Sequence, residues 1–336
     1  MSDLHSVSRG DIERAAGVLA SGGLVAFPTE TVYGLGANAS DPEAVARIFS
    51  VKGRPTDHPL IVHIANVDGL ERWASSVPKI ARQLTEVFWP GPLTVLVDRA
   101  AWVGDDVTGG RSSVGLRVPD HTVANAVLDS FASLLHDQPA GIAAPSANRF
   151  GRVSPTTADH VRADLGADVD LVLDGGPCLV GVESTIVDCR GVVPAVLRLG
   201  GISLERLAEV LGALPDVAGP TARSITSGMM PSHYAPQARV VLVALEGLFA
   251  NVTDQTQRGF RVAVLAPAVV AGLPDEAIEL EPAGTADNYA RVLYDRLRQA
   301  DRLGVDVLFV VPPSPDGIGA AVVDRLERAS AASDGE

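Results

Sequence analysis

Over roughly its first 205 residues this chain alternates short β-rich runs with stretches of helical periodicity, and that alternation rules out an all-helical bundle or an all-β sandwich. Gly23-Leu24-Val25-Ala26-Phe27-Pro28 reads as a buried strand with a turn at its end, and Leu60 to Ile64, Leu93 to Val97, Val114 to Val118, Ile142 to Ala144, Leu171 to Asp174 and Ser184 to Asp188 read as further strands. Between them, Pro42 to Ser50 reads as a helix, with Asp41 as N-cap and Pro42 at the first helical position. Pro78 to Val87 is a helix that Trp89-Pro90-Gly91-Pro92 must end, and Thr122 to Leu135 and Thr157 to Leu165 are two more. The pattern predicts a mixed α/β domain.

The alternation stops after a short helix over Ser203 to Leu211. Pro215, Gly219, Pro220, Ser224, Ser227, Gly228, Pro231 and Pro236 then make helix or strand unfavourable, which marks a linker. Beyond it, Val240 to Leu245, Val262 to Ala266, Ile278 to Leu280 and Val305 to Val311 read as strands, and Asn288 to Arg302 and Gly317 to Ala329 as helices. The expected organisation is a first domain over 1–211, a linker over 212–238 and a small accessory α/β domain over 239–336. A linker this long inside a compact chain suggests a function or a domain boundary.

Composition narrows the function classes. Hydrophobic residues make up 46% of the chain and charged residues 20%, as in a soluble globular protein. No apolar run approaches the roughly 18 residues of a membrane span. The start, Met1-Ser2-Asp3-Leu4-His5, lacks a secretory pattern, and Cys178 and Cys189 form no metal-spaced or CxxC set, so a cytoplasmic location is expected. A net charge of −14 disfavours a dominant nucleic-acid-binding role. An anionic substrate then needs a local cationic pocket.

Candidates for that pocket stand out. Of 27 basic residues only two are lysines, Lys52 and Lys79, and Lys52 sits in Val51-Lys52-Gly53-Arg54-Pro55. A flexible ammonium kept where arginine is otherwise the rule suggests a specific need, and Lys52 with Arg54 suits an anion; a solvated helix end is the bland alternative. His58 follows. His63, Arg117 and Arg198 interrupt otherwise apolar strands, which demands either an internal partner or a ligand. Pro28-Thr29-Glu30-Thr31-Val32-Tyr33-Gly34-Leu35-Gly36 places hydroxyls and glycines at a strand end. Ala143-Ala144-Pro145-Ser146-Ala147-Asn148 offers close backbone approach, Ser154 follows it, and Gly181-Val182-Glu183-Ser184-Thr185 opens another strand with hydroxyls. There is no P-loop, no GxSxG and no HExxH, so positioning and charge neutralisation are favoured over covalent or metal-cage chemistry.

Taken together these runs resemble one family. Ala26–Leu35, Lys52-Gly53-Arg54-Pro55, Pro59–His63, Trp89-Pro90-Gly91-Pro92-Leu93-Thr94, Pro145-Ser146-Ala147-Asn148 and Gly181–Ile186 are similar, in order, to the motifs of the YrdC/Sua5 family of threonylcarbamoyl-AMP synthases. The linker motif His233-Tyr234-Ala235-Pro236 and the α/β unit after it resemble the two-domain Sua5 type. The resemblance implies a YrdC-like twisted mixed sheet followed by a small Rossmann-like domain. It implies a nucleotidyltransferase that makes L-threonylcarbamoyladenylate and pyrophosphate from L-threonine, bicarbonate and ATP. That product serves N6-threonylcarbamoyladenosine formation at position 37 of tRNAs through downstream threonylcarbamoyl-transfer proteins.

By matching motif, Thr31, His63, Arg117, Ser184 and the backbone at Ala144 would hold threonine. Arg54, His58, Ser113, Ser146, Ser154 and Arg198 would hold ATP, with Tyr234 closing over the nucleotide. Lys52 and Asn148 would orient the bicarbonate-derived group and the phosphates. Mg²⁺ is expected to accompany ATP, without a protein cage. Neither a membrane nor direct tRNA binding is required. An RNA-binding or ribosome-associated module is the alternative, disfavoured by the acidic charge. Two departures are visible: His58 stands where the family often has Asn, and Leu199 where it often has Pro after the arginine.

Overall fold

The computed structural model describes residues 7–136, 138–219 and 234–333. They form two compact units. The first is built on ten strands: β1 (Val25–Phe27), β2 (Gly34–Asn38), β3 (Ile61–His63), β4 (Leu93–Asp98), β5 (Ser113–Arg117), β6 (Ile142–Ala143), β7 (Leu171–Val172), β8 (Thr185–Asp188), β9 (Ala195–Arg198) and β10 (Asp216–Val217). Their order is β10-β9-β8-β4-β5-β3-β6-β2-β1-β7. The sheet is mixed: β3 runs parallel to β5 and β4 parallel to β8, while β4 and β5 are antiparallel.

One face of the central strands makes the main core. Val62, Val95, Leu116 and Val187, at alternate positions on β3, β4, β5 and β8, pack with Ile48, Phe49, Trp73 and Leu84 from the helices. Because side chains alternate across a strand, their neighbours Ile61 and His63, Thr94 and Leu96, Ser113, Gly115 and Arg117, and Ser184 and Ile186 belong to the other face. That face carries the polar positions.

Helix Pro42–Lys52 begins as the sequence suggests: Asp41 Oδ1 accepts from the amides of Glu43 (3.0 Å) and Ala44 (3.3 Å). It runs two residues past the expected end at Ser50 and stops where Gly53 turns left-handed at φ 63°. Several elements of this unit go beyond the sequence reading. Helix Arg9–Ala20 is closed by a Ser8–Asp11 capping box, a signature legible in the chain. Gly34–Asn38, which begins inside the run taken for a ligand-holding turn, forms β2 against β1. Asp216–Val217, inside the expected linker, adds a parallel edge strand to β9. Ala195–Arg198 pairs with β8, which places Arg198 at a strand end.

The second unit comprises residues 234–333 together with 151–153 and 180–182. Its sheet has four parallel strands, β11 (Arg239–Leu242), β12 (Val262–Leu265), β13 (Ile278–Glu279) and β14 (Val307–Val310), in the order β11-β14-β12-β13. This is the small Rossmann-like sheet expected. The strand expected to reach Leu245 ends at Leu242, and Leu245–Gln257 is a helix that buries Leu248, Val252 and Gln255 at a helical spacing. Its aromatic and β-branched content obscured that period. Residues 220–233 of the expected linker, His233 among them, lie outside the described residues. Among the described residues no helix is long and apolar enough to cross a membrane.

Candidate active site

The first unit gathers the motif runs around the polar face of its sheet. His63 and Arg117 are register partners on β3 and β5. Thr94 and Ser184 continue the row on β4 and β8, their hydroxyls 2.8 Å apart. Farther along the same face, Pro59, Leu60, Ile61, Thr94, Leu96, Gly115 and Ile186 line a small hollow that opens to solvent. Gly115 matters here: a Cβ on it would stand 3.3 Å from Thr94 Cγ2. The floor is therefore charged and polar at one end and apolar at the other.

The loops of the motif runs are tied to one another through backbone. Tyr33 N donates to Pro155 O (2.9 Å), Leu35 N to Pro145 O (2.7 Å) and Ala147 N to Tyr33 O (2.8 Å). Thr29 Oγ1 lies 2.8 Å from Thr31 Oγ1 and donates to Val32 O at 2.7 Å, so the 29–32 turn is fixed from within. Ala144 N donates to Ile61 O at 3.0 Å. Ser146, half-buried, forms a bridge with Gly34, where a Cβ would meet that of Ala144 at 3.2 Å.

Lys52 is buried at the end of its helix, 3% exposed, and donates from Nζ to the carbonyls of Ser146 (2.5 Å) and Asn148 (2.6 Å). It is not a solvated helix end. Burial first, and then the charge of Arg54, holds its pKa well below the ordinary lysine value. An arginine fork is a poor substitute for a tip that seats two carbonyls in so small a space. Asn148 meets Lys52 through its backbone oxygen, while its side-chain Nδ2 donates to Arg149 O at 2.7 Å.

Arg54 is buried and donates to Pro59 O at 3.0 Å, beside the apolar hollow. His58 is half-buried, its ring edge-on to Phe150 at 5.5 Å; burial and then Arg54 lower its pKa. Arg198 grips the start of β8, with Nε on Ser184 O (3.0 Å) and Nη2 on Ser184 Oγ (3.0 Å). The family's usual proline after this arginine is Leu199 here, and the turn still closes: Gly201 N donates to Glu183 O at 3.0 Å. Ser154 donates to Glu183 Oε1 at 2.7 Å, both buried, rather than simply capping a helix. Ser113 is buried at the start of β5.

His63 is buried, and burial together with Arg117 pushes its pKa down to about 3, so the ring is neutral. Arg117 Nε donates to Gly91 O at 3.3 Å, and Nη2 stands 2.7 Å from Glu30 Oε1. Tyr234 belongs to the second unit. It adopts φ 65°, stacks on Tyr294 with ring centroids 5.6 Å apart, and carries the Arg325 guanidinium 5.1 Å from its ring centroid.

Sequence reasoning passed over Glu30, Thr94, Gly115 and Glu183 as individual site residues. Thr94 and Gly115 were legible in principle, because they share a strand face with Leu96 and Arg117. Glu30 and Glu183 were not, because their partners lie 87 and 29 residues away in the chain.

With that geometry in place, the family can be read. The family model described as "Telomere recombination", covering Sua5, YciO and YrdC proteins, matches residues 17–200, and "Threonylcarbamoyl-AMP synthase, C-terminal domain" matches residues 202–331. The chain belongs to the Sua5 family of threonylcarbamoyl-AMP synthases. It is 41% identical to the Pyrococcus abyssi threonylcarbamoyl-AMP synthase, with 95% of this chain and 94% of that one covered. It is 37% identical to the Bacillus subtilis protein of the same name, covering 98% and 96%. The crystal structure of Pyrococcus abyssi Sua5 complexed with L-threonine superposes with a TM-score of 0.90 at 38% identity, covering 98% of this chain and 96% of that one. The two-domain Sua5 type expected from the linker motif is the type these relatives have.

Proposed function

We infer that the protein makes L-threonylcarbamoyladenylate and pyrophosphate from L-threonine, bicarbonate and ATP, the activated threonylcarbamoyl donor for N6-threonylcarbamoyladenosine at position 37 of tRNAs. One observation carries the reading. In a chain of net charge −14, the described residues of the first unit bury three guanidinium groups, Arg54, Arg117 and Arg198, and the amine of Lys52 against two carboxylates, Glu30 and Glu183. A surplus of buried positive charge in an acidic protein suits a centre that receives anions, and threonine, bicarbonate and ATP supply them.

The reaction class is nucleotidyl transfer. A carboxylate oxygen of N-carboxy-threonine attacks the α-phosphorus of ATP, the new P–O bond forms, and pyrophosphate leaves with the electrons of the broken bond. Negative charge builds on phosphoryl oxygens, and preorganised cations in a dry site stabilise it. In this reading Arg117, neutral His63, Thr31, Ser184 and the Ala144 backbone hold threonine at the polar end of the floor. Arg54, His58, Ser113, Ser146, Ser154 and Arg198 hold the nucleotide. The hollow is lined by Pro59, Leu60, Ile61, Leu96, Gly115 and Ile186, so it offers an apolar surface to the flat ring of the nucleotide rather than to its phosphates. Lys52 and Asn148 shape the wall between the two ligands and orient the carbamate and phosphates.

Mg²⁺ would enter with the ATP phosphates. Among the described residues no three His, Cys, Asp or Glu side chains gather as a metal cage, and Glu183 is already engaged by Ser154. Threonylcarbamoyl-transfer proteins acting on tRNA would take up the product.

The test is incubation of the purified protein with ATP, L-threonine and labelled bicarbonate. Threonine-dependent pyrophosphate and a labelled adenylate are expected. Pyrophosphate released equally without threonine would overturn the assignment.

A further inference from the structure

We propose that Glu30 is a specificity-determining residue of the amino-acid subsite, cancelling the charge of Arg117 so that the subsite selects a zwitterion over a simple carboxylate. This rests on the reading of Arg117, His63 and Ser184 as the threonine end of the floor, and adds to it a selection by charge.

Geometry comes first. Glu30 Oε1 lies 2.7 Å from Arg117 Nη2, with both side chains about nineteen-twentieths buried. The contact is close but not aligned as a hydrogen bond: neither Glu30 oxygen nor Arg117 Nη2 has a partner of normal hydrogen-bond geometry. His63 Nδ1, on the strand beside Arg117, has none either. A buried ion pair kept only for stability has its remaining lone pairs and protons satisfied, because each buried group left open is costly. Here open acceptors, an open donor and an open ring nitrogen come from three separate segments, the 28–33 turn, β5 and β3. That is the profile of a site completed by a ligand with both donors and acceptors.

Charge then decides which ligand. Glu30 and Arg117 carry opposite formal charges, and His63, buried beside Arg117, is neutral. The subsite sums to zero. A bare carboxylate entering it meets a cation already offset and a second carboxylate nearby. An α-amino acid brings a carboxylate for Arg117 and an ammonium to offset Glu30. The hydroxyl bonds of Thr29 to Thr31 and Val32 hold Glu30 in place, so its charge is preorganised rather than recruited.

The experiment titrates wild type and Glu30→Gln by calorimetry, without bicarbonate, using L-threonine, 3-hydroxybutyrate (the same skeleton without the ammonium) and, separately, ATP. Wild type should prefer L-threonine by about tenfold or more. Loss of the charge in Glu30→Gln should weaken L-threonine on the order of 10- to 100-fold, as for a charged hydrogen-bonding partner. It should leave 3-hydroxybutyrate unchanged or tighter and leave ATP affinity unchanged. Glu30→Asp keeps the charge and should keep the preference, so it decides the matter if Glu30→Gln does not fold. Equal weakening of both acids in Glu30→Gln, an unmoved preference there, or a preference lost in Glu30→Asp with ATP binding intact would overturn the proposal alone. A wild type that binds ATP but not L-threonine would overturn the threonine-end reading and the proposal with it.

Discussion

The two sheets of this protein bury their central strands to a similar degree, yet among the described residues they differ in what those strands carry. In the second unit, Val262–Leu265 and Val307–Val310 are buried along their whole length and apolar on both faces. In the first unit, Ser113–Arg117 is buried along its whole length too, but only Val114 and Leu116 join the hydrophobic core. The alternate positions carry a hydroxyl, a glycine and a guanidinium. A parallel sheet covered on both faces reads as a continuous apolar run. A buried strand that breaks that rule at every second residue must satisfy its polar face by internal partners or by a ligand, and Arg117 finds Gly91 O and Glu30 as internal partners.

The largest effect expected from breaking this contrast lies in the second unit. Phe309→Ala, deep in its core, should cost about 3–5 kcal/mol of that unit's stability by leaving a cavity. Threonine affinity, measured by calorimetry below the transition, should be unchanged. A parallel loss of threonine binding would show that the first unit's polar face depends on the second.

Acid should separate the units next. Burial sets the His63 pKa at about 3, below the value near 6.5 of an unfolded histidine. The unfolded chain therefore takes the proton first, and stability present above pH 6.5 is lost as pH falls through that value towards 3. The loss is on the order of a few kcal/mol. Denaturant unfolding followed from pH 7 to 4 should show this slope in wild type and a flatter one in His63→Gln.

Lys52→Arg keeps the charge but not the compact tip. Pyrophosphate release should fall about 100-fold or more, since Arg and Lys are not interchangeable at such a site. The variant should also lose about 1–3 kcal/mol of stability, because the larger group must enter a filled space. From the sequence alone little stability loss is expected; the burial of Lys52 against two carbonyls changes that. Gly115→Val is the mildest test. It adds methyls to the apolar hollow and should weaken ATP by about tenfold while leaving threonine nearly untouched, as for a small volume change in an apolar pocket. Equal effects on both ligands would argue that the floor is not divided into two ends.

Much of the fold was readable without coordinates, and for local reasons. Asp41 and Pro42 start a helix because a side-chain cap and a preset φ act over three residues. Trp89-Pro90-Gly91-Pro92 ends one because proline cannot continue it. Where period and composition disagreed, as in Leu245–Gln257, the helix was missed. The 29–36 run shows a further limit: its first half is a polar turn as expected, but Gly34–Asn38 is a strand, because pairing with β1 and β6 decides a segment whose own preference is weak.

The motifs and their order are enough to establish the family, and the residue types alone point to anion-handling chemistry. They also single out Lys52 by its rarity. What the chain could not state is which polar groups meet. Glu30 faces Arg117 across 87 residues, Ser154 faces Glu183 across 29, and Lys52 reaches carbonyls 94 and 96 residues away. Local sequence sets caps, turns and the alternation of faces, because those energies act within a few residues. The pairing of buried charges depends on strand order and register, and only the folded sheet decides that.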